Sequence, residues 1–361
     1  MAKASHQGTV AVKSAVRIGI IGAGSMGRRH AMLVTQSKTA VMAGFADPDP
    51  DAALDPMCAG VVHYRDHRQL IEAEAPDGVI IAVPNSLHVP VAMDCLAASI
   101  PMLIEKPVAD SLESGRSLIE EQNKSNVAIL VGHHRRFDPA VTAARRLIND
   151  GSMGKLLAVQ ATWATRKPDP YYQVRWRTEP SSGGFVLINL IHDIDMLRYL
   201  CGEICSVYAD LGSAGRSLPV ADTAAVTLRF ENEVLGTITA SDACVSVWGW
   251  EQATGENPIV PVAGEGAMRF FGTAGSLDFP SLKLWKDADG GAGTWDRVLA
   301  SRNVALEHER RALVDQLNHF CDVIRKDDQV PRVSAHDGLA TLIATAAIME
   351  SAQRGLPVTI G

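Results

Sequence analysis

Lys106 ends an apolar run, Pro101-Met-Leu-Ile-Glu105, and Asn189, His192 and Asp195 recur at every third residue of an otherwise apolar helical pattern from Phe185 to Leu200. An ammonium fixed at a strand end can hold a substrate oxygen and lower the pKa of a neighbouring proton carrier. The competing reading of Lys106 is a strand-end lysine paired with Glu105 in solvent. Polar groups on a nearly buried helix are costly unless they are paired or face a cavity, and such a stripe points to the cavity. The bland alternative is a solvent edge where Asp195 pairs with Arg198 and His192 is a bystander.

Such groups need a scaffold, and the start of the chain supplies one. The run Val16 to Ile21 reads as a buried strand; it enters the turn Gly22-Ala23-Gly24-Ser25-Met26-Gly27 and then a helical pattern. Gly22 makes the turn, Gly24 lets the backbone approach a pyrophosphate, and Gly27 lets the helix pack on the strand. Free N–H groups and the helix dipole then hold the anion. A second strand, Ala40 to Ala46, ends at Asp47, about twenty residues on, where an acid accepts bonds from an adenosine ribose and repels a 2′-phosphate. NAD is therefore favoured over NADP. A tight turn of another α/β protein, and an Asp-Pro strand-end turn at Asp47, are the alternatives. The run Gly78 to Val83 reads as a central strand, which puts Val83, Pro84, Asn85 and His88 near the cofactor; His88 reads equally as a surface or capping histidine.

Composition bounds the rest. The chain has 361 residues, which suggests two domains, and its 47% hydrophobic and 21% charged residues are those of a folded soluble protein. A net charge of −7 and the lack of a basic stripe argue against nucleic acid. The cysteines are scattered without zinc spacing and read as structural thiols, so no metal is expected. No run is long enough for a signal peptide or a membrane span, so a cytoplasmic protein with a loose N-terminal tail over residues 1–15 is expected.

Alternating strand and helix patterns build a parallel sheet up to Phe137, including a helix-like stretch from Pro50 to Gly60. From Asp138 a helix, Pro139 to Asn149, leads into strand patterns: Lys155 to Ala164, Ile204 to Leu211, Thr223 to Phe230, Val234 to Ala243, Met268 to Phe271, Ser276 to Phe279 and Lys283 to Lys286. These imply one mostly antiparallel open sheet, followed by helices Leu306 to Lys326 and His336 to Arg354. The expected fold is α/β: a doubly wound Rossmann domain over 16–137 and an α+β domain over 138–361, with the C-terminal helix free to pack back on the first.

Taken together, the Gly22 to Gly27 turn, Asp47, Glu105-Lys106-Pro107, the segment Gly132 to Pro139, Trp176-Arg177, and Gly183-Gly184 followed by His192 and Asp195 resemble the glucose-fructose oxidoreductase / inositol dehydrogenase / rhizopine-catabolism (Gfo/Idh/MocA) family. The resemblance implies an NAD(P)-dependent oxidoreductase of sugars, cyclitols or related polyols, forming homodimers or homotetramers through the C-terminal sheet. It makes Lys106 the catalytic lysine and His192 the active-site histidine, and places Glu105, Trp176 and Arg177 with the cofactor residues. Two places depart from the family pattern. Ile188 stands where an aspartate is usual, four residues before His192, and His134 stands where an asparagine is usual.

The expected reaction is alcohol oxidation: His192 takes the hydroxyl proton and Lys106 stabilises the oxyanion. Asn189 and Asp195 orient the histidine or bind a second hydroxyl, and His134, Trp163, Arg166, Tyr172 and Arg177 are further substrate-binding candidates; interface packing is the bland reading of the aromatic and guanidinium groups. Two other functions stay open. One is a dehydrogenase of a cyclic cis-diol or hydroxylated ring acid, with Arg166 and Arg177 on a carboxylate; the other is a non-catalytic dinucleotide sensor.

Overall fold

The computed structural model describes residues 14–52, 58–179, 183–291, 293–327 and 330–361. The expected N-terminal tail through residue 13, and residues 53–57 in the middle of the helix expected at Pro50 to Gly60, lie outside the described residues. The chain divides into two compact units. One takes the chain through Ile104, with Glu121–Leu130 and Leu317–Pro331. The other takes Glu105–Glu120, Val131–Gln316 and Arg332–Gly361.

In the first part of the chain strands and helices alternate: β1 (Val16–Ile21), α1 (Ser25–Gln36), β2 (Ala40–Ala46), β3 (His63–Tyr64), α2 (His67–Glu74), β4 (Gly78–Ile81), α3 (His88–Ala97), β5 (Met102–Ile104), α4 (Leu112–Gln122) and β6 (Ile129–Val131). Among the described residues these strands form a six-stranded sheet ordered β3-β2-β1-β4-β5-β6, with β1 parallel to β2 and β4. That is the Rossmann order, with its switch point between β1 and β4. The central strand β4 is wholly apolar and wholly buried, as a sheet covered on both faces requires: Val79, Ile80 and Ile81 are inaccessible to solvent. The turn from β1 to α1 needs its outer glycines. Gly22 has φ +97°, and a Cβ on Gly27 would stand 1.8 Å from the Gly22 carbonyl oxygen.

The rest of the chain continues with α5 (Pro139–Asn149), β7 (Leu156–Ala164), α6 (Ile191–Cys201), β8 (Ile204–Gly212), β9 (Thr223–Phe230), β10 (Leu235–Ser241), α7 (Trp250–Thr254), β11 (Met268–Gly272), β12 (Ser276–Phe279), β13 (Lys283–Asp287), β14 (Leu299–Asn303), α8 (Ala312–Arg325), α9 (Ala335–Arg354) and β15 (Val358–Thr359). Among the described residues its strands make a nine-stranded sheet, β14-β13-β12-β11-β7-β10-β9-β8-β15. The β7–β10 pair is parallel and its neighbours are antiparallel. Strict alternation marks the covered face: Ala224, Val226, Leu228 and Phe230 of β9 are buried while the residues between them are exposed. Helices α5, α6 and α9 supply the other side of that core, through Leu147, Ile194, Leu197 and Ile348. Asp138 caps α5 by accepting from Ala140 N at 2.8 Å, with Pro139 at the first turn. Ser334 and Asp337 form a capping box on α9.

No helix among the described residues is long and apolar enough to cross a membrane.

Candidate active site

The glycine turn and the end of β2 build the dinucleotide half. Gly24 caps α1 with φ −67°, a conformation open to any residue, and a Cβ there would meet nothing within 4 Å. The chain itself therefore does not demand glycine at 24. The space above the helix N-terminus is left for something outside the chain, as the close approach of a pyrophosphate requires. Asp47 accepts from Ala23 N at 2.7 Å and Asp49 N at 3.0 Å, which fixes its carboxylate beside the turn with lone pairs to spare for ribose hydroxyls. These residues fit a dinucleotide: Gly22 to Gly27 for the pyrophosphate and Asp47 for the adenosine ribose.

Val83, Pro84 and Asn85 follow β4 into a short 3₁₀ turn, Asn85–Leu87. His88 is buried, its Nε2 3.0 Å from the Val83 carbonyl, so it braces that turn.

The second constellation lies within the unit that holds the large sheet. Lys106 follows β5 and its cis peptide to Pro107. Its Nζ donates to the Ile188 carbonyl at 2.7 Å, not to Glu105. Glu105 is buried and accepts from the backbone N–H of Lys106 at 3.2 Å. Burial lowers the Lys106 pKa, Glu105 opposes that, and Arg135 adds to it.

Ile188 belongs to a π-turn, Val186–Leu190, that runs directly into α6. One extra residue in the turn shifts the phase of everything after it, and such turns are frequent at functional sites. This corrects the expected stripe. Asn189 and His192 stay unpartnered among the described residues: the Asn189 Oδ1 and the His192 Nδ1 are buried with no hydrogen bond. Asp195, by contrast, is taken up by Arg136 at 2.8 and 2.7 Å and by Thr341 at 2.9 Å, so its carboxylate is already committed within the chain. Nor does it pair with Arg198, which bonds Glu203 at 2.7 Å.

Three histidines meet here. His134 and His133 approach the His192 ring edge-on, with centroids at 5.3 and 6.0 Å. Burial, then Lys106 and Arg135, hold His192 well below the usual imidazole range, so it is a neutral proton acceptor. The cluster is locked by Arg135, which reaches Asp193 at 3.2 Å, Glu251 at 2.9 Å and Glu256 at 3.5 Å, under the Trp250 ring at 5.2 Å. Asp193 is pushed up to about 7 by burial, against the pull of Arg135.

The aromatic and guanidinium candidates divide. Trp163 is buried, stacks on Phe185 at 5.7 Å and donates its ring N–H to Glu251, so it is a wall of the core. Arg166 is on the surface and donates to the Ala243 carbonyl at 3.2 Å. Tyr172 donates to Asp242. Arg177 packs on the Tyr171 ring at 4.0 Å, and Trp176, part-exposed, lies 5.7 Å from its guanidinium.

Lys167, Asp193, Glu251 and Glu256 were missed in the sequence. Lys167 sits 4.1 Å over Tyr171 and 5.8 Å over Trp163; burial brings it down to about 8, with Lys106 among the charges that add to the effect. The glutamates lie on and just after α7, a five-residue helix too short to show a period. Asp193 could have been flagged as a carboxylate next to the histidine on an apolar helix.

Comparison with known proteins agrees. Residues 16–133 match the family model described as an oxidoreductase family with an NAD-binding Rossmann fold. Residues 141–278 match the GFO/IDH/MocA C-terminal domain. The chain is 29% identical over 348 residues to a myo-inositol 2-dehydrogenase of Thermotoga maritima, spanning 92% of this chain and 95% of that one. It is 31% identical over 267 residues to an inositol 2-dehydrogenase of Arthrobacter sp., spanning 69% and 74%. Among solved structures, levoglucosan dehydrogenase in complex with NADH superposes with a TM-score of 0.77 at 21% identity, covering 96% of this chain and 100% of that one. With both halves matched in order and the expected sheets in place, the chain belongs to the Gfo/Idh/MocA family of NAD(P)-dependent oxidoreductases.

Proposed function

We propose that this chain is an NAD-dependent dehydrogenase of a sugar, cyclitol or related polyol, with Lys106 and His192 at the reacting oxygen. The observation that carries the reading is the pair of buried, unpartnered atoms on Asn189, in the turn that anchors Lys106, and on His192, in the first turn of the helix that follows it. A buried polar atom with no partner is costly, and a hydroxylated substrate would satisfy both. The Lys106 ammonium spends one N–H on Ile188 and keeps two for the substrate oxygen, where it stabilises developing negative charge. Neutral His192 takes the hydroxyl proton. The dinucleotide, when bound, supplies the hydride acceptor. Kinship to inositol dehydrogenases supports a cyclitol or sugar.

The carboxylate of Asp47 favours NAD over NADP, and an unmodified protein that binds NADP more tightly in a titration would overturn that preference. A panel of inositols, sugars, cyclic diols and hydroxy acids, followed at the NADH absorbance band, tests the rest. Tight NAD binding with no turnover on any of them would favour the sensor.

A second reading has its own support. Lys167 and Arg177 crowd the one ring of Tyr171, and among the described residues neither has an ion pair. A carboxylate there would relieve both cations, which favours a hydroxylated ring acid as substrate. The outer face of the large sheet carries part-exposed Tyr208, Leu235, Phe271 and Trp285, which supports a second copy of the chain packing on it. Sedimentation at micromolar concentration tests this, and a monomer would refute it.

A further inference from the structure

We infer that His134 and Glu256 form a relay that carries the substrate proton from His192 to solvent; this rests on the dehydrogenase reading above. A buried base takes one proton per turnover and must lose it before the next. His192 has no carboxylate partner among the described residues, and its ring neighbours are His133 and His134. His133 leads nowhere: among the described residues it has no carboxylate at ion-pair distance, and burial drives it down to about 4, so it resists a proton. His134 is nearer, and its buried Nε2, though not aligned for a hydrogen bond, stands at ion-pair distance from Glu256 Oε2, 3.1 Å away.

Glu256 is built to stay an anion. Burial works against it, but His134 and Arg135 hold it far below the usual carboxylate range, and Trp250 Nε1 donates to it at 2.6 Å. Exposure rises along the same line, from 9% for the His134 side chain to 18% for Glu256, so the line leads outward. The other charged or titratable groups around the pair are Lys106 after β5, Arg135 and His133 on the turn beside His134, Asp138 at the start of α5 with its partner Arg310, Asp193 on α6 and Glu251 on α7; Asp193 and Glu251 are paired with Arg135, and Asp138 with Arg310.

The step balances. The substrate C–H pair leaves as hydride to the oxidised dinucleotide, the O–H bond breaks, and a carbonyl forms. The O–H proton goes to His192 and then to His134, whose Nε2 proton passes through Glu256 to water. One proton is released per hydride transferred.

Two measurements test this. In the protein without cofactor, an imidazole N–H of His134 held against Glu256 gives a slowly exchanging downfield proton in the 1H–15N spectrum, and Glu256→Gln removes it. In kinetics with the best substrate of the panel, His134→Ala lowers kcat about 100-fold, with KM and NAD affinity within about twofold. Free imidazole restores part of the loss, and Glu256→Gln recovers activity as pH rises. His134→Asn, which keeps a polar side chain of smaller size, repeats the kinetic test should the alanine variant fail to fold. No downfield proton, full turnover without His134, or a loss that neither imidazole nor high pH repairs overturns the relay. Should the unmodified protein reduce NAD with no member of the panel, the dehydrogenase reading fails first and takes the relay with it.

Discussion

The glycine turn and the Lys106–His192 cluster prepare for a ligand in opposite ways. At the turn the fixing is done by backbone: Gly22 and Gly27 are forced by contacts within the chain, Gly24 is left open, and Asp47 is already held by Ala23 N. At the cluster the fixing is done by buried charge, Arg135 among three carboxylates, while Asn189 and His192 are left short of partners. The first region is a shape set by the backbone, with one carboxylate, Asp47, at its edge. The second is a polar network whose unmet bonds select what enters.

The contrast can be tested. Lys106→Ala should cut turnover about 1,000-fold, with NAD affinity nearly intact by titration; loss of NAD binding as well would mean the lysine is structural. Arg135→Met strands Asp193, Glu251 and Glu256, and should cost about 3–5 kcal/mol in urea unfolding; a change under 1 kcal/mol would show that the lock is weak. The glycines should part company. Gly27→Ala drives a Cβ into the Gly22 carbonyl and should lower the melting temperature, whereas Gly24→Ala should leave melting unchanged and weaken NAD about tenfold or more. Equal melting losses in both would make Gly24 a packing residue. Lys167→Met should raise KM about tenfold for a hydroxy acid and little for a neutral polyol; equal effects would remove the acid reading. The smallest effect is on pH. Because burial, Lys106 and Arg135 keep His192 neutral well below 6.5, its protonation comes only in stronger acid, and kcat/KM should stay within about twofold between pH 7.5 and 6.5. An acid limb centred near 6.5 would show a histidine in ordinary surroundings.

Much of this was legible in the chain because period and punctuation speak for themselves. The strand-turn-helix at Gly22, the helix Pro139–Asn149 and the strand Thr223–Phe230 fall where apolar spacing, caps and turns place them. The misses have physical causes. Strand β14 is exposed throughout and β15 is two residues long with one buried side chain, Val358, so neither shows an alternation to announce it. Helix α8 starts at Ala312 and not Leu306, since Glu307 to Glu309 belong to an exposed approach and Arg310 is drawn to Asp138. Lys106 was readable from its strand. Its anchor was not, because a main-chain oxygen leaves no trace in residue type, and the partners of Arg135 come from α6 and α7, far along the chain.

The π-turn at Val186–Leu190 has one more effect. Since the lysine hangs from the peptide oxygen at 188, whatever side chain occupies that place is irrelevant to holding it: leucine, valine or even an acid would leave the tether standing. What would cut it is removal of a single residue from the helix, which would erase the bulge, pull that carbonyl back into the regular ladder and rotate the imidazole away. The lysine is thus guarded by the length of this segment more than by its spelling.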